Sequence, residues 1–459
     1  MKNIYKILFA GLFLLTVTAC SNDFLENEQF STTPQNIESV EDLKALMSGA
    51  MIRSKDVTYY GRDMIVFGTV RGDVAFSDAN SGRFRSPAYY NMISTDAYAA
   101  DTFTQIYRVI GQLNVIINST FQNASREAEI KNIKGQALVW RANAYLDLLK
   151  LYGQEHTGGT LGVPLILEYN TGADKPARAT VAETHAQITA DFEAGIALLE
   201  ESGTLKGPKD LINYYSANGL AARYYLYKNT PESIQLAYDR ASVVIGNTDY
   251  KVVGADLYLN SFSENLTSQN SIFEIAVGDK ARLGTNSLAY IYKKQGYGDI
   301  RPVADFVNSF DAADIRSKAF TVTNGNKYVS SKYPDMSGNN SIKFLRFEEV
   351  LLTRAEANLI LGIDPVEADN DVNRVVTNRG LAPFVGVTLA QVREQRKKEL
   401  FFEGQTYWDM LRQGLDIPQY DPAGNLVDTH VYGQDPKLIF PIPQRELDVN
   451  KNIQPNPGF

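Results

Sequence analysis

The chain has 459 residues, a formal net charge of −8 at pH 7 and a hydrophobic fraction of 44%. Nucleic-acid binding needs a surplus of clustered lysine and arginine, so 45 basic residues against 53 acidic ones argue against a nucleic-acid partner. A hydrophobic fraction of this size with 21% charged residues is typical of a globular protein, and the length allows more than one lobe.

The first residues are typical of a secretion signal. Lys2 and Lys6 precede an uncharged apolar run at 7–17, which is too short to span a bilayer of about 30 Å. Small residues then lead to Cys20, the single cysteine of the chain. We interpret residues 1–19 as a lipoprotein signal peptide and Cys20 as a lipid attachment site. The alternative is an ordinary signal peptide with a chance cysteine. Acyl chains on Cys20 would anchor the protein to a membrane, with residues 20–36 as a polar tether.

The next segments show helical periodicity, and residues 37–459 are predicted to form one helical repeat domain. Apolar residues recur every three or four positions from Ile133 to Leu151, and Gly153 stands where that helix would end. A capping box at Thr180 and Glu183 predicts the start of the following helix.

Two further helix pairs follow, and then a last long helix. Pro231 fits the first turn of a helix, and a helix is predicted from about Leu389 to Arg412. The paired segments are 211–229 with 231–245 and 344–362 with 365–380. Antiparallel helix pairs of this kind resemble tetratricopeptide units. The predicted fold class is therefore mainly α, with tetratricopeptide-like helix pairs as a scaffold, minor β structure and long irregular insertions at about 54–100 and 248–340.

Both insertions are rich in Gly, Asn, Ser, Asp and Tyr, and long loops on a rigid scaffold commonly carry function. Charged side chains and aromatic faces together can bind sugar hydroxyls or peptide backbones. Aromatic packing onto the helices is the alternative interpretation. Tyr290 and Tyr292 alternate as on one face of a strand. The predicted ligand-binding residues are Arg71, Asp73, Phe76, Arg83, Tyr89, Tyr90, Tyr290 and Tyr292.

Catalytic and metal-binding patterns have little support. Glu399 and Glu403 are four residues apart, as on one helix face, but neighbouring Arg396 and Lys398 favour a structural role. The three histidines lack metal-ligand spacing, and the acidic stretch "NSFDAADIRS" lacks the pattern of a calcium loop. Both tryptophans, at positions 140 and 408, are predicted to lie in the core. We therefore expect no enzyme activity, no cofactor and no metal.

Four stretches together resemble the SusD/RagB family of outer-membrane nutrient-binding lipoproteins. They are "CSNDFLE" after the signal, "ALVWRANAYLDLLKLYGQ" with "GGTLGVPLI", "LRFEEVLLTRAEANLILG" with "NRVVTNRGL", and "QRKKELFFEGQTYWDMLRQG" with "LIFPIPQRELDVNKNIQPNPGF". The resemblance implies an outer-membrane protein, lipid-anchored and facing the cell exterior. It also implies an oligosaccharide or peptide ligand that is delivered to a TonB-dependent, SusC-like transporter.

Two other functions remain open from the sequence. The helix pairs could hold a partner protein without any small ligand, which would make the chain an adaptor. A carboxylate pair hidden among the 53 acidic residues could make it a surface glycosidase.

Overall fold

The computed structural model describes residues 36–169 and 175–459. The predicted signal peptide, Cys20 and the tether up to residue 35 lie outside the described residues. Helices dominate the described part, and each sheet in it has two strands, so the predicted mainly α fold is confirmed. No helix in the described ranges combines the length and the apolar character needed to cross a bilayer.

Three helices in the first half of the chain each begin or end where the sequence predicts. The capping box at Thr180 and Glu183, the first-turn Pro231 and the stop at Gly153 are all present. The elements of this half are α1 (Val40–Ser54), α2 (Asp63–Val70), β1 (Ala75–Ser77), α3 (Arg85–Ala88), α4 (Ala97–Ile117), α5 (Glu127–Tyr152), α6 (Val181–Glu201), α7 (Tyr214–Lys228) and α8 (Pro231–Ile245).

The second insertion consists of short elements, and the remaining helix pairs follow it. Its elements are α9 (Tyr258–Ser261), β2 (Ser271–Ile275), α10 (Leu288–Tyr292), β3 (Ile300–Pro302), α11 (Ala304–Asn308), β4 (Phe320–Thr323), β5 (Asn326–Val329) and β6 (Ile342–Arg346). The last elements are α12 (Phe347–Leu361), α13 (Pro365–Val376), α14 (Leu389–Leu400), α15 (Thr406–Arg412), β7 (Ile417–Tyr420), β8 (Leu426–His430) and α16 (Gln444–Val449).

Consecutive helices pack as pairs, as the periodicity predicts. Helices α5 and α6, α7 and α8, and α12 and α13 are in extensive contact, and α8 also packs on α12. Gly135 and Gly195 allow α5 and α6 to approach closely, because a Cβ atom at either position would come within 2.9 Å of the carbonyl oxygen of the other. Trp140 is fully buried beneath this scaffold and donates a hydrogen bond to Ser54 Oγ at 2.7 Å.

The prediction of one helix from Leu389 to Arg412 is wrong, because two shorter helices occupy these residues. Helix α14 ends at Leu400 and α15 begins at Thr406. Between them Phe402 and Gly404 take positive φ angles of 60° and 79°, which a helix cannot contain. At Gly404 a Cβ atom would come within 2.9 Å of the Ile65 backbone, so the break lets α2 approach this turn closely.

The sequence predicts that the first insertion is irregular, and this is wrong in part because the insertion contains a helix. Helix α2 lies within it, and every residue from Asp63 to Val70 is buried. A fully buried helix has no polar face, and therefore it shows no amphipathic period that a sequence pattern could reveal.

The two insertions meet through a short antiparallel sheet. Strand β1 of the first insertion pairs with β3 of the second, with Phe76 opposite Arg301. Backbone hydrogen bonds extend this pairing at both ends, from Asp78 N to Asp299 O at 2.8 Å and from Val303 N to Val74 O at 3.0 Å. Segments more than two hundred residues apart in sequence are thereby joined on one side of the helical scaffold.

Candidate functional site

Arg71 is a structural clamp in the described fold, because its side chain is only 1% exposed. Its guanidinium donates hydrogen bonds to the carbonyl oxygen of Pro87 at 2.9 Å and to that of Lys437 at 2.6 Å. It also lies over the rings of Tyr90 and Tyr407, at 4.0 Å and 5.1 Å from their centroids. Arg71 therefore joins the first insertion to the C-terminal segment and presents no surface to a ligand in this structure.

Three predicted aromatic contacts are buried as well. The Tyr90 hydroxyl donates to Arg71 O at 2.5 Å, and the Phe76 ring lies beneath Gly424, where a Cβ atom would come within 2.8 Å of it. Tyr292 packs edge-on against Phe402 with ring centroids 4.9 Å apart. These side chains form core contacts between insertions and scaffold, which was the alternative interpretation of the aromatic residues.

Tyr290 and Tyr292 do not lie on one face of a strand, and that prediction is wrong. Both belong to α10, which Ser287 caps by accepting a hydrogen bond from Tyr290 N at 3.4 Å. Residues two apart on a helix point in different directions, so Tyr292 is buried while Tyr290 is partly exposed.

The remaining three predicted ligand contacts are all partly exposed. Asp73 forms an ion pair with Lys397 at 3.2 Å, and the Tyr89 hydroxyl donates to Ser77 O at 2.8 Å. Burial raises the pKa of the Tyr89 phenol. Arg83 lies over the ring of Tyr297, with its guanidinium carbon 3.7 Å from the ring centroid.

Arg83 belongs to a surface that both insertions build together. The ring of Tyr297 lies 5.7 Å from that of Tyr290, and Lys294 is exposed on the same short segment. Arg301 follows on β3, directly opposite Phe76. We call this set the tyrosine surface, and it consists of Arg83, Tyr290, Lys294, Tyr297 and Arg301.

Two buried rings pack against Arg301 and hold its side chain in place on the tyrosine surface. Its guanidinium carbon lies 5.1 Å from the centroid of Phe76 and 5.6 Å from that of Tyr328. Its terminal nitrogens donate to Asn326 Oδ1 and approach Asp78 Oδ2 at 3.6 Å. Burial raises the pKa of Asp78, and the neighbouring Arg301 guanidinium opposes this shift. The guanidinium is thus positioned by rings and polar groups before any ligand arrives.

The loop that carries Arg83 is held in strained backbone. Ala79, Phe84 and Tyr90 have φ angles of 57°, 55° and 52°, a left-handed region that non-glycine residues rarely occupy. Buried Asp299 supports the loop by accepting hydrogen bonds from the backbone N–H of Ser81 at 2.8 Å and from its hydroxyl. Such strain is typical of functional sites, where the surrounding structure enforces it.

Sequence reasoning missed Lys294, Asp299 and Arg301, although all three follow Tyr290 closely in the second insertion. Nothing local marks them, because their role depends on the pairing of residues 75–77 with 300–302. Tyr297 was visible as a tyrosine of the second insertion, but its place over Arg83 was not. The one available signal was the density of Tyr, Lys and Arg between positions 290 and 301.

Glu399 and Glu403 lie in a buried ion cluster instead of a catalytic pair. Arg346 bridges them, with its Nη1 atom 2.9 Å from Glu399 and its Nη2 atom 2.7 Å from Glu403. Arg379 also binds Glu399, at 2.8 Å, and Lys332 binds Glu403 at 2.5 Å. The members of this C-terminal ion cluster are Asp314, Arg316, Lys332, Arg346, Glu348, Arg379, Glu399 and Glu403.

The cations that neutralise the two glutamates are not the predicted ones. Arg396 instead pairs with Glu349 and Asp409, and Lys398 donates to the carbonyl oxygen of Ser309. Burial raises the pKa of Glu399, but the guanidiniums of its arginine partners outweigh burial and hold it well below its usual range. A carboxylate that stays ionised and fully buried is a poor general acid, which supports the predicted structural role.

The remaining polar groups belong to local networks. His156, His185 and His430 contact Tyr227, Glu155 and Asp435, respectively, at 2.7–2.8 Å. Asp314 of the acidic stretch is engaged by Arg316. Within residues 36–169 and 175–459, no group of three His, Cys, Asp or Glu side chains is arranged to hold a metal ion.

A small cavity in the core is too small for a sugar ring. Its volume is about 20 Å³, and Asp147, Lys150 and Trp408 are among the residues that line it. That volume accommodates a single water molecule. The tyrosine surface, by contrast, offers aromatic faces and cations to a larger ligand.

The fold is a helical-repeat scaffold whose two insertions meet at a candidate surface, and comparisons with known proteins identify the family. Residues 23–226 match the family model described as starch-binding, associating with outer membrane, and residues 314–459 match the model of the SusD family. Over 99% of both chains, the protein is 24% identical to SusD-like protein P2 of Formosa agariphila.

Solved structures agree with these matches. A SusD superfamily protein from Bacteroides thetaiotaomicron is 26% identical and superposes with a TM-score of 0.81, covering 91% of this chain and 100% of that one. Surface glycan-binding protein A from Bacteroides fluxus is 19% identical, with a TM-score of 0.77 over 92% of this chain and 100% of the other. The chain belongs to the SusD/RagB family, whose members are cell-surface proteins of the outer membrane that bind glycans during nutrient uptake.

Proposed function

We propose that this protein is a lipid-anchored receptor on the outer membrane, facing the cell exterior. It binds an oligosaccharide at the tyrosine surface and delivers it to a TonB-dependent, SusC-like transporter. Cys20 carries the lipid, and the protein binds its ligand without turnover.

The observation that carries the proposal is the pairing of β1 with β3. It brings Arg83 of one insertion over Tyr297 of the other, beside the partly exposed Tyr290. Aromatic faces stack against the C–H faces of sugar rings, and guanidinium and ammonium groups donate hydrogen bonds to sugar hydroxyls. Both kinds of group are available on the same surface before the ligand arrives.

Binding without turnover is supported by where the paired carboxylates lie. Glu399 and Glu403 are sequestered in the C-terminal ion cluster, and Asp299 is fully buried behind the loop that carries Arg83. Asp78, the carboxylate nearest to Arg301, is also largely covered, with a side chain 17% exposed. Glycoside hydrolysis needs two carboxyl groups facing one sugar bond, and these four carboxylates do not meet that need.

Calorimetry against panels of oligosaccharides and peptides tests the proposal. The purified mature chain is titrated with each compound, and the mixtures are then separated by chromatography to detect shortened products. We expect at least one oligosaccharide to bind and to remain intact. Binding of peptides alone, or the release of shorter sugars, would contradict the proposed function.

Delivery to a transporter needs a cellular test. We expect the chain to co-purify from outer membranes with a barrel transporter, and cells that carry Tyr297→Ala to take up less labelled oligosaccharide. Cys20→Ser should release the protein from the membrane fraction and abolish fatty-acid labelling. Normal uptake in the Tyr297 variant would instead favour an adaptor that binds no small ligand.

A further inference from the structure

We propose that the tyrosine surface takes a negatively charged oligosaccharide, one that bears carboxylate or sulfate groups. This inference rests on the proposed glycan binding at the same surface. The inference goes beyond the proposed function because it assigns the charge of the ligand, which neither the fold nor the family determines.

The first argument is the charge of the segment that builds most of this surface. Residues 279–301 carry five cations, which are Lys280, Arg282, Lys293, Lys294 and Arg301. They carry only two carboxylates, Asp279 and Asp299, in a chain whose overall charge is −8. Asp299 is fully buried and accepts hydrogen bonds from Ser81, so it faces away from solvent. An acidic protein thus presents a locally basic segment at its candidate site.

The second argument is that two cations of the surface are free to bind an anion. Within the described ranges, no carboxylate lies within 4.0 Å of Arg83 or of Lys294. The Arg83 guanidinium rests on the Tyr297 ring and donates one hydrogen bond, to Ser81 Oγ at 3.0 Å. Lys294 is exposed, with its ammonium 5.9 Å from the Tyr328 ring centroid.

The third argument is that the cations of this surface outnumber the carboxylates near them. Asp78 is the carboxylate that approaches the surface, and it lies 3.6 Å from Arg301 with its own side chain 17% exposed. Asp299 is a second carboxylate near the surface, since Ser81 Oγ donates to it and accepts from Arg83 at 3.0 Å. Arg83, Lys294 and Arg301 therefore outnumber these two carboxylates. Guanidinium groups bind carboxylate and sulfate oxygens through parallel, charge-assisted hydrogen bonds, and an anionic group on the ligand would complete this arrangement.

The tyrosines explain why the anion should belong to a sugar. Tyr290 and Tyr297 place two rings with centroids 5.7 Å apart beside the cations. A charged sugar presents a C–H face to such a ring and its acidic group to a neighbouring cation. An acidic peptide would use the cations but would gain less from two adjacent ring faces.

Calorimetry with charge-matched sugars tests this inference. The mature chain is titrated with an oligogalacturonate, with the same oligomer fully methyl-esterified, with a sulfated galactan oligosaccharide and with an acidic peptide of similar length. We expect at least one charged sugar to bind about tenfold more tightly than the esterified oligomer, since one charge-assisted hydrogen bond corresponds to roughly that factor. The preference should shrink in 0.5 M salt, because exposed charges are screened.

Single substitutions show which cations give the preference for the charged sugar. Arg83→Gln and Lys294→Gln should each reduce the preference for the charged sugar several-fold, while Lys251→Gln, at an exposed lysine outside the surface, should not. Equal or tighter binding of the esterified oligomer would overturn the inference and leave the proposed function intact. Tighter binding of the acidic peptide would overturn the assignment to a sugar. Failure of these sugars together with every oligosaccharide of the broader panel would contradict the proposed function itself.

Discussion

The tyrosine surface and the C-terminal ion cluster are built from similar residues in opposite environments, one exposed and one buried. Both combine arginines, carboxylates and aromatic rings. In the cluster, Arg346 and Arg379 are at most 1% exposed and bind the carboxylates of Glu399 and Glu403. At the surface, Arg83 rests on a tyrosine and its ion-pairing capacity is unused by the described carboxylates. Burial and pairing, and not residue type, separate a structural arginine from one that can bind a ligand.

The largest effect is expected from breaking the cluster. Glu399→Gln leaves Arg346, Arg379 and Arg316 with less negative charge around them, and a buried charge without its partner is costly. We expect the free energy of unfolding to fall by about 3–5 kcal/mol, measured by urea denaturation followed by circular dichroism. Glu394→Gln, on the same helix but partly exposed, is the control and should cost less than about 1 kcal/mol. Equal losses in both variants would refute the special role of the cluster.

The pH dependence of the free energy of unfolding should also show the stabilising role of the C-terminal ion cluster. The pKa of Glu399 is held well below its ordinary value of 4.5, so the unfolded chain takes up this proton at a higher pH than the folded one. Its stabilising contribution is therefore complete above about pH 4.5 and is lost as the pH falls through the lower folded value. Denaturation at a series of pH values should show a steeper acid decline for the natural protein than for Glu399→Gln. Parallel pH profiles would contradict this assignment.

Arg71 and Arg83 provide a matched pair within one insertion. Arg71→Gln removes hydrogen bonds to Pro87 and Lys437 and should lower the free energy of unfolding by about 2–3 kcal/mol. Arg83→Gln should change stability by less than about 0.5 kcal/mol, because its guanidinium is partly exposed. Thermal unfolding and calorimetry on the same samples separate the two effects. A large loss of stability in Arg83→Gln would place that side chain among the structural arginines.

Substitution of Gly424 tests how the hairpin of β7 and β8 packs on Phe76 of strand β1, beneath the tyrosine surface. Its φ is +85°, and a Cβ atom would come within 2.8 Å of the Phe76 ring. Gly433 also has a positive φ, of +74°, but a Cβ atom there meets nothing within 4 Å. Gly424→Ala should therefore cost about 2 kcal/mol and Gly433→Ala about 1 kcal/mol, by thermal unfolding. A larger loss at Gly433 would show that the hairpin does not pack on Phe76 as described.

The helical scaffold was predictable because its signals are local. Thr180 with Glu183 and Pro231 mark helix starts within one turn, and the apolar stripe before Gly153 lies on a single helix. The break between α14 and α15 was not predictable, because it depends on a close approach of Gly404 to Ile65, far away in the sequence. Helix α2 escaped notice because burial on all sides removes the amphipathic period.

The candidate site was predictable only in outline. The composition of the two insertions singled out the segments that build the tyrosine surface, and Arg83 and Tyr290 lie on it; whether this surface binds a ligand stays a prediction. The sequence could not distinguish Arg83 from Arg71, since both lie in the same insertion and differ only in their three-dimensional partners. Lys294 and Arg301 gain their place through the pairing of β1 with β3, which is a non-local contact.

The most direct test of the account is the affinity of a Tyr290→Ala, Tyr297→Ala double variant for an oligosaccharide that the natural protein binds. The control is Tyr214→Ala with Tyr215→Ala, a second pair of partly exposed tyrosines whose rings lie 5.5 Å apart on α7. We predict that the first variant binds at least about tenfold more weakly with an unchanged melting temperature, and that the control binds normally. Unchanged affinity in the first variant would contradict the account.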